Sequence, residues 1–213
     1  MEQVPYGFMN DNGEFEGVLY DVMNQIIEHS NIGDTNIVVP SKRIFLTMST
    51  KKKSCALLAN TPDISDSFVL IEPIGYPLLT GILPRAGIKL PNYASLQNRI
   101  IAIPLGIYFD ERLDKDETLS ILRPLKYTNA IKMLKLKRVD AVAGAIPSLL
   151  YIAKEEGMSA NEFDEPLVFK SFEVMLVCTD DLTQDILVRL KQSVIYLRDS
   201  GIIQKIIDGY FRS

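Results

Sequence analysis

Leu197-Arg198-Asp199-Ser200-Gly201-Ile202-Ile203-Gln204-Lys205-Ile206, followed by Tyr210-Phe211, is the stretch whose reading decides the fold. Upstream of it, Ile186, Leu187, Leu190, Val194 and Leu197 recur at helical spacing behind Thr183, a residue suited to an N-cap. Gly201 stops that helix, because glycine reaches the left-handed conformation that closes a helix at no steric cost. Beyond the glycine, Ile203, Ile206, Ile207, Tyr210 and Phe211 predict a second helix with one apolar side.

Working outward, segments of helical period alternate with short apolar runs, which is an α/β pattern. Val18, Leu19, Val22, Met23, Ile26 and Ile27 share a helix face that Asn31 and Gly33 end. Ser41 behind Pro40 reads as the cap of a helix bearing Ile44, Phe45 and Met48. Lys51-Lys52-Lys53 reads as a solvated turn before a strand at Cys55–Ala59. Further strands are expected at Arg99–Pro104, Val139–Ala145 and Phe172–Thr179. Thr128 is read as the cap of a helix carrying Ile131 and Leu134, and Pro147 as the opening of the next.

Composition excludes several functions. The chain has 213 residues and a net charge of −4, so no basic field is available for a phosphate backbone, and no nucleic-acid partner is predicted. The longest uncharged apolar stretch, Ile74–Pro84, is too short to span a bilayer and is broken by Gly75, Pro77 and Gly81. No basic and apolar leader follows Met1. The 2 cysteines, Cys55 and Cys178, sit in apolar runs and are read as buried free thiols. The single histidine, His29, lies at the polar end of the first helix and is read as a surface or helix-terminus partner. With no second histidine there is no zinc triad and no base for either cysteine. Gly13, Gly17 and Gly106 stand alone and make no phosphate loop. No catalytic residue, metal site or cofactor is predicted.

Taken in order, separate motifs carry a resemblance. Pro5-Tyr6-Gly7-Phe8, then Asn12-Gly13-Glu14-Phe15-Glu16-Gly17 and Asp21, form the first. Lys137-Arg138-Val139-Asp140-Ala141-Val142 is the second, and the C-terminal stretch quoted above is the third. Their sequence and spacing over essentially the whole chain resemble the family-3 bacterial extracellular solute-binding proteins, the polar amino-acid receptors of ABC importers. The resemblance implies a two-lobed periplasmic-binding-protein-like (type II) α/β fold, with a hinge and a ligand in an interlobe cleft. It places residues 1–77 plus 180–213 in lobe one and residues 78–179 in lobe two. The strands at Cys55–Ala59 and Ile100–Ile103 are then expected in separate sheets. Family members also carry a short strand ahead of the Pro-aromatic segment. Here that strand is either outside the numbered residues or replaced by a lobe-one sheet built differently.

The expected pocket positions have changed character. The arginine that holds a ligand carboxylate in such receptors has no counterpart in Asn60-Thr61-Pro62-Asp63-Ile64-Ser65-Asp66-Ser67. The acid that holds the ammonium is replaced by the uncharged Ala143-Gly144-Ala145-Ile146, and the anion-binding turn reads Gly106-Ile107-Tyr108. The resemblance leaves Tyr6, Asn60, Thr61, Gly106 and Tyr108 as candidate ligand contacts, with Arg43 as a cation near the start of the second helix. Phe8 is read as core.

The implied function is a periplasmic, monomeric solute-binding domain that closes on a small polar ligand for an ABC-transporter permease. One alternative is the ligand-sensing ectodomain of a membrane receptor, partnered by its own membrane domain. Another is a cyclohexadienyl-dehydratase-like enzyme on the same fold. That enzyme would need an acid in the cleft, which the Val-Asp-Ala strand does not offer beyond Asp140.

Overall fold

The structure, a computed structural model, describes residues 4–10, 12–33, 35–39, 41–105 and 110–211. The chain divides into two compact units, Met1–Pro77 with Phe172–Ser213, and Leu78–Ser171. Residues 172–179, expected in the second lobe, cluster instead with the first unit. The reason is strand pairing, since residues 174–178 lie in register against Cys55–Ala59.

The first unit begins with a hairpin of β1 (Phe8–Met9) and β2 (Phe15–Glu16). Its turn is held by the Asn10 side chain, which accepts from the backbone N–H groups of Asn12 and Glu14. Gly17 then opens α1 (Val18–Ser30). A Cβ at Gly17 would lie 2.7 Å from the backbone of Gly7, so this close approach needs glycine. Asn31, in the left-handed conformation, ends α1. There follow α2 (Ser41–Thr50), β3 (Cys55–Ala59), α3 (Pro62–Ser67) and the start of β4 (Val69–Pro84).

The second unit holds β5 (Ile100–Ala102), α4 (Glu111–Lys115), β6 (Ser120–Leu122), α5 (Tyr127–Lys135), β7 (Ala141–Ala145) and α6 (Ile146–Glu155). The helix expected to be capped by Thr128 starts one residue before it, with Lys126 at the cap position and no side-chain cap bond. β5 pairs in parallel with β6 and β7, and β7 runs antiparallel to β4. Period-two alternation sorts the core into layers. Leu83, Ala102 and Val142 face Ile131, Leu134 and Leu149 of α5 and α6, whereas Ile82, Ile101, Ala141 and Ala143 face Leu96, Leu113 and Leu119. β7 is buried along its whole length, as a strand covered on both faces must be. Asp140, just before β7, accepts from the Ile100 N–H and from the Arg85 guanidinium, both at 3.0 Å, and so ties three strands together.

The chain returns through β8 (Leu167–Cys178) to α7 (Gln184–Asp199) and α8 (Ile202–Phe211) of the first unit. Both helices pack on α1. The quoted C-terminal stretch explains why. Leu190, Val194, Leu197, Ile203 and Ile207 are buried, and Gly201 takes a φ of 77° between the helices. The Tyr210 hydroxyl donates to Asp21 at 2.7 Å and accepts the Gly17 N–H at 3.1 Å. Arg198 donates to the Glu72 carboxylate and the Pro73 carbonyl, both at 2.8 Å.

Two expectations are corrected. Cys55 and Cys178 are joined in a disulfide rather than free, because they stand directly opposite each other in the β3–β8 register, 4.1 Å apart at Cα. The strands at Cys55–Ala59 and Ile100–Ala102 also belong to one hydrogen-bond order, β3-β8-β4-β7-β5-β6. The ladder is continuous because β4 and β8, at 16 and 12 residues, are each long enough to serve both units.

Candidate functional site

In the first unit, Asn60 and Thr61 form the turn from β3 into α3. Asn60 is anchored by its N–H to the Glu173 carbonyl at 2.8 Å. The Thr61 carbonyl accepts from Ile64 and Ser65, yet its hydroxyl makes no capping bond. Both side chains are half-buried and present an amide and a hydroxyl at the carboxyl end of a strand. No arginine follows, and Asp66 is exposed on α3.

Tyr6 is 2% exposed, inside the first unit, its ring 6.5 Å from that of Tyr76. Burial pushes the Tyr76 phenol up to about 12 against a lowering contribution from its hydrogen bond with Tyr6. Tyr76 stacks in turn on Phe211. Phe8 is half-buried on β1.

Tyr6 also lines a cavity of about 490 Å³ inside this unit. Leu19, Met23 and Ile27 of α1, Ile44 and Met48 of α2, and Ile186 and Leu190 of α7 supply apolar walls. Cys55, Ala56 and Leu57 of β3 and the segment Ile37-Val38-Val39 complete them, and Lys51, Lys52 and Lys53 sit at its edge. Arg43 is exposed on α2 and is not among the described residues that line it.

In the second unit, Gly106 and Tyr108 lie outside the described residues. At the end of β7, the Ala145 N–H donates to the Tyr127 hydroxyl at 3.3 Å, and burial raises the Tyr127 phenol above its ordinary value. A Cβ on Gly144 would come within 2.4 Å of the Tyr127 ring, so the ring takes the place of a side chain there. The stretch that replaces the expected acid is thus filled by a tyrosine from α5.

Sequence reading missed Arg112. Its guanidinium lies over the rings of Tyr93 and Phe169 at 5.0 and 5.2 Å. It grips Asp110 with two bonds, of 2.9 and 2.7 Å, and the bond from Arg112 holds that carboxyl below its usual range. Its side chain is still 59% exposed. The arginine lies in α4, but its aromatic neighbours come from distant segments, so no local pattern announces it.

No family model and no curated protein matches the sequence. Solved structures do match in fold. An arginine-binding protein mutant from T. maritima is 19% identical with a TM-score of 0.71, covering 100% of this chain and 92% of that one. The second substrate-binding domain of Lactococcus lactis GlnP, in an open conformation, is 17% identical with a TM-score of 0.72, covering 99% and 91%. A histidine kinase sensor domain with similarity to periplasmic binding proteins is 14% identical with a TM-score of 0.74, covering 99% and 92%. The chain therefore has the α/β fold of periplasmic-binding-protein-like solute-binding domains. At these identities the likeness reaches the fold, and the residues that meet a ligand must be argued from this chain itself.

Proposed function

We propose that this protein is an extracytoplasmic, periplasmic solute-binding domain that takes a small polar ligand and serves an ABC importer as its receptor. The observation that carries the reading is the match, over essentially the whole chain, to domains that bind solutes. The Cys55–Cys178 disulfide supports the location, since such bonds persist in oxidising compartments. Asn60 and Thr61 are the contacts offered by the first unit, and Gly106, Tyr108 and Arg112 those offered by the second. The protein works by binding, as a monomer, and without turnover. The ligand is a polar molecule other than a free α-amino acid. A zwitterion losing water at both ends needs an ionic partner at each, at several kcal/mol apiece. The resemblance puts Asp66 or its uncharged neighbours near the first position and Ala145 near the second.

Mass spectrometry of small molecules released from denatured protein identifies the ligand, and thermal shift with that molecule measures its affinity. Arg43→Ala is expected to leave the ligand-free melting temperature nearly unchanged, whereas Arg112→Ala, which leaves the buried Asp110 without its cation, is expected to lower it; both should reduce the ligand-induced shift. Saturable micromolar binding of any of the twenty amino acids would overturn the ligand class. Turnover of prephenate or arogenate would overturn the non-catalytic reading.

A second reading, the sensing ectodomain of a membrane receptor, is favoured by one observation, the sensor-domain likeness at a TM-score of 0.74. The full gene separates the two, because a membrane segment followed by a signalling domain in the same chain would make this the sensor.

A further inference from the structure

β5 and β7 run parallel in the second unit, and in open α/β sheets ligands meet the carboxyl ends of such strands. At that end of β7 the chain presents the Tyr127 hydroxyl, whose oxygen accepts the Ala145 N–H at 3.3 Å. A phenol has a proton to give as well as lone pairs with which to accept. Among the described residues no acceptor takes the Tyr127 proton. The ring is held in place, because it packs against the core layer of Leu134, Val142 and Leu149 and fills the space over Gly144. The hydroxyl is thus a donor at a fixed position with no partner of its own.

No carboxylate accompanies it at the strand end. Thr80 stands opposite Ala145 on β4 and donates its hydroxyl to the Lys170 carbonyl at 3.5 Å, and Ile146-Pro147 follow in the chain. Lys126, beside Tyr127 in the chain, is an exposed cation. Burial raises the Tyr127 phenol and the Ala145 N–H lowers it, with no charged group contributing. α6 begins at Ile146 without a side-chain cap, so the positive end of its backbone dipole lies at the same place. An ammonium brought here would meet a donor, a helix N-terminus and no counter-charge. An oxygen would accept from the first and be favoured by the second.

The geometry points to Tyr127 as the residue that sets ligand specificity in the second unit, by donating its hydroxyl to a hydroxyl or carbonyl oxygen of the ligand. The ligand class is a hydroxy or oxo compound with no ammonium at this end, such as a 2-hydroxy acid, a 2-oxo acid or a sugar. This deepens the solute-binding reading above and rests on it.

The test is calorimetry and thermal shift on the full chain with compounds paired so that they differ at one group. L-lactate is set beside L-alanine, 2-oxoglutarate beside L-glutamate, L-lactamide beside L-alaninamide, and D-glucose beside D-glucosamine. The oxygen member of at least one pair is expected to bind about tenfold or more tightly than its amino partner. Tyr127→Phe keeps the ring over Gly144 and removes the hydroxyl, so it is expected to weaken the oxygen member by about tenfold and leave the amino partner unchanged. Ala145→Asp, which puts a carboxylate beside the hydroxyl, is expected to reverse the preference. Equal weakening of both members by Tyr127→Phe would reduce the tyrosine to a packing role and overturn the proposal. Equal or tighter binding of the amino members by the parent protein would overturn it too, while leaving the solute-binding reading intact. No binding by any pair would overturn the ligand class. If the denatured protein also released no small molecule, the solute-binding reading itself would fall.

Discussion

The two units use similar amounts of apolar sequence to different effect. The second builds two close-packed layers, with Ala102, Ile131, Val142 and Leu149 on one face of its strands and Leu96, Ile101 and Ala141 on the other, all at 0% exposure. The first has apolar helix faces of the same quality, yet it encloses a cavity of about 490 Å³ and leaves Ile37, Phe45 and Leu46 at 49, 43 and 63% exposure. The difference lies in the sheet. In the second unit β7 has a strand on each side and helices or turns on both faces. In the first, β3 pairs among the described residues with β8 alone, and Cys55, Ala56 and Leu57 of β3 border the cavity.

The largest test of this contrast is the disulfide. Cys55–Cys178 closes a loop of 123 residues and joins the two chain segments that make the first unit. The chain-entropy relation assigns such a loop about 5 kcal/mol. The double Cys→Ser variant, or the reduced protein, is expected to melt earlier with loss of amide protection in α1 and α7 ahead of α5 and α6. Simultaneous loss in both units would contradict the idea that the first is the weaker.

Side-chain truncation should sharpen the comparison further. Leu149, fully buried between α6 and its sheet, is expected to cost about 3–5 kcal/mol on replacement by alanine. Met48 is 3% exposed but borders the cavity, so Met48→Ala should cost about 2 kcal/mol or less. Denaturant melts of both variants decide it, and equal losses would mean the cavity wall is as tightly packed as the second core.

Tyr210→Phe removes the bond to Asp21 and the acceptor for the Gly17 N–H, at about 1–2 kcal/mol. The measurement is again an equilibrium melt, with the Asp21→Asn variant expected to be less than additive with it.

The smallest effect is on pH dependence. Tyr76 titrates near 10 when unfolded and about 12 when folded, so the folded state holds its proton more tightly. Its contribution is fully present below pH 10 and fades as pH rises from there through 12. Tyr76→Phe should flatten the alkaline limb of the stability curve, which melts between pH 9 and 12 would reveal by comparison with the parent protein.

The motifs legible in the sequence prove to be joints of the scaffold. Gly17, Asp21 and Tyr210 meet in one hydrogen-bonded cluster, Asp140 ties β5 and β7 to Arg85, and Gly201 separates two helices. The scaffold therefore announces itself, while the proposed ligand contacts do so only in part. Asn60 and Thr61 were readable as a polar turn after a strand. Arg112 was not, because the neighbouring rings it lies over arrive from Tyr93 and Phe169.

The sequence alone determined the alternation of helices and strands, the apolar faces of α1, α7 and α8, and the absence of a basic field, since each is set by spacing within a short window. Only the tertiary structure decided the disulfide, the membership of residues 172–179 and the strand order in which β3, β8 and β4 lie. All of these depend on which strands lie side by side. Strand pairing joins residues as far apart as Cys55 and Cys178, and a cysteine in an apolar run reads the same whether its opposite neighbour is a valine or a second cysteine.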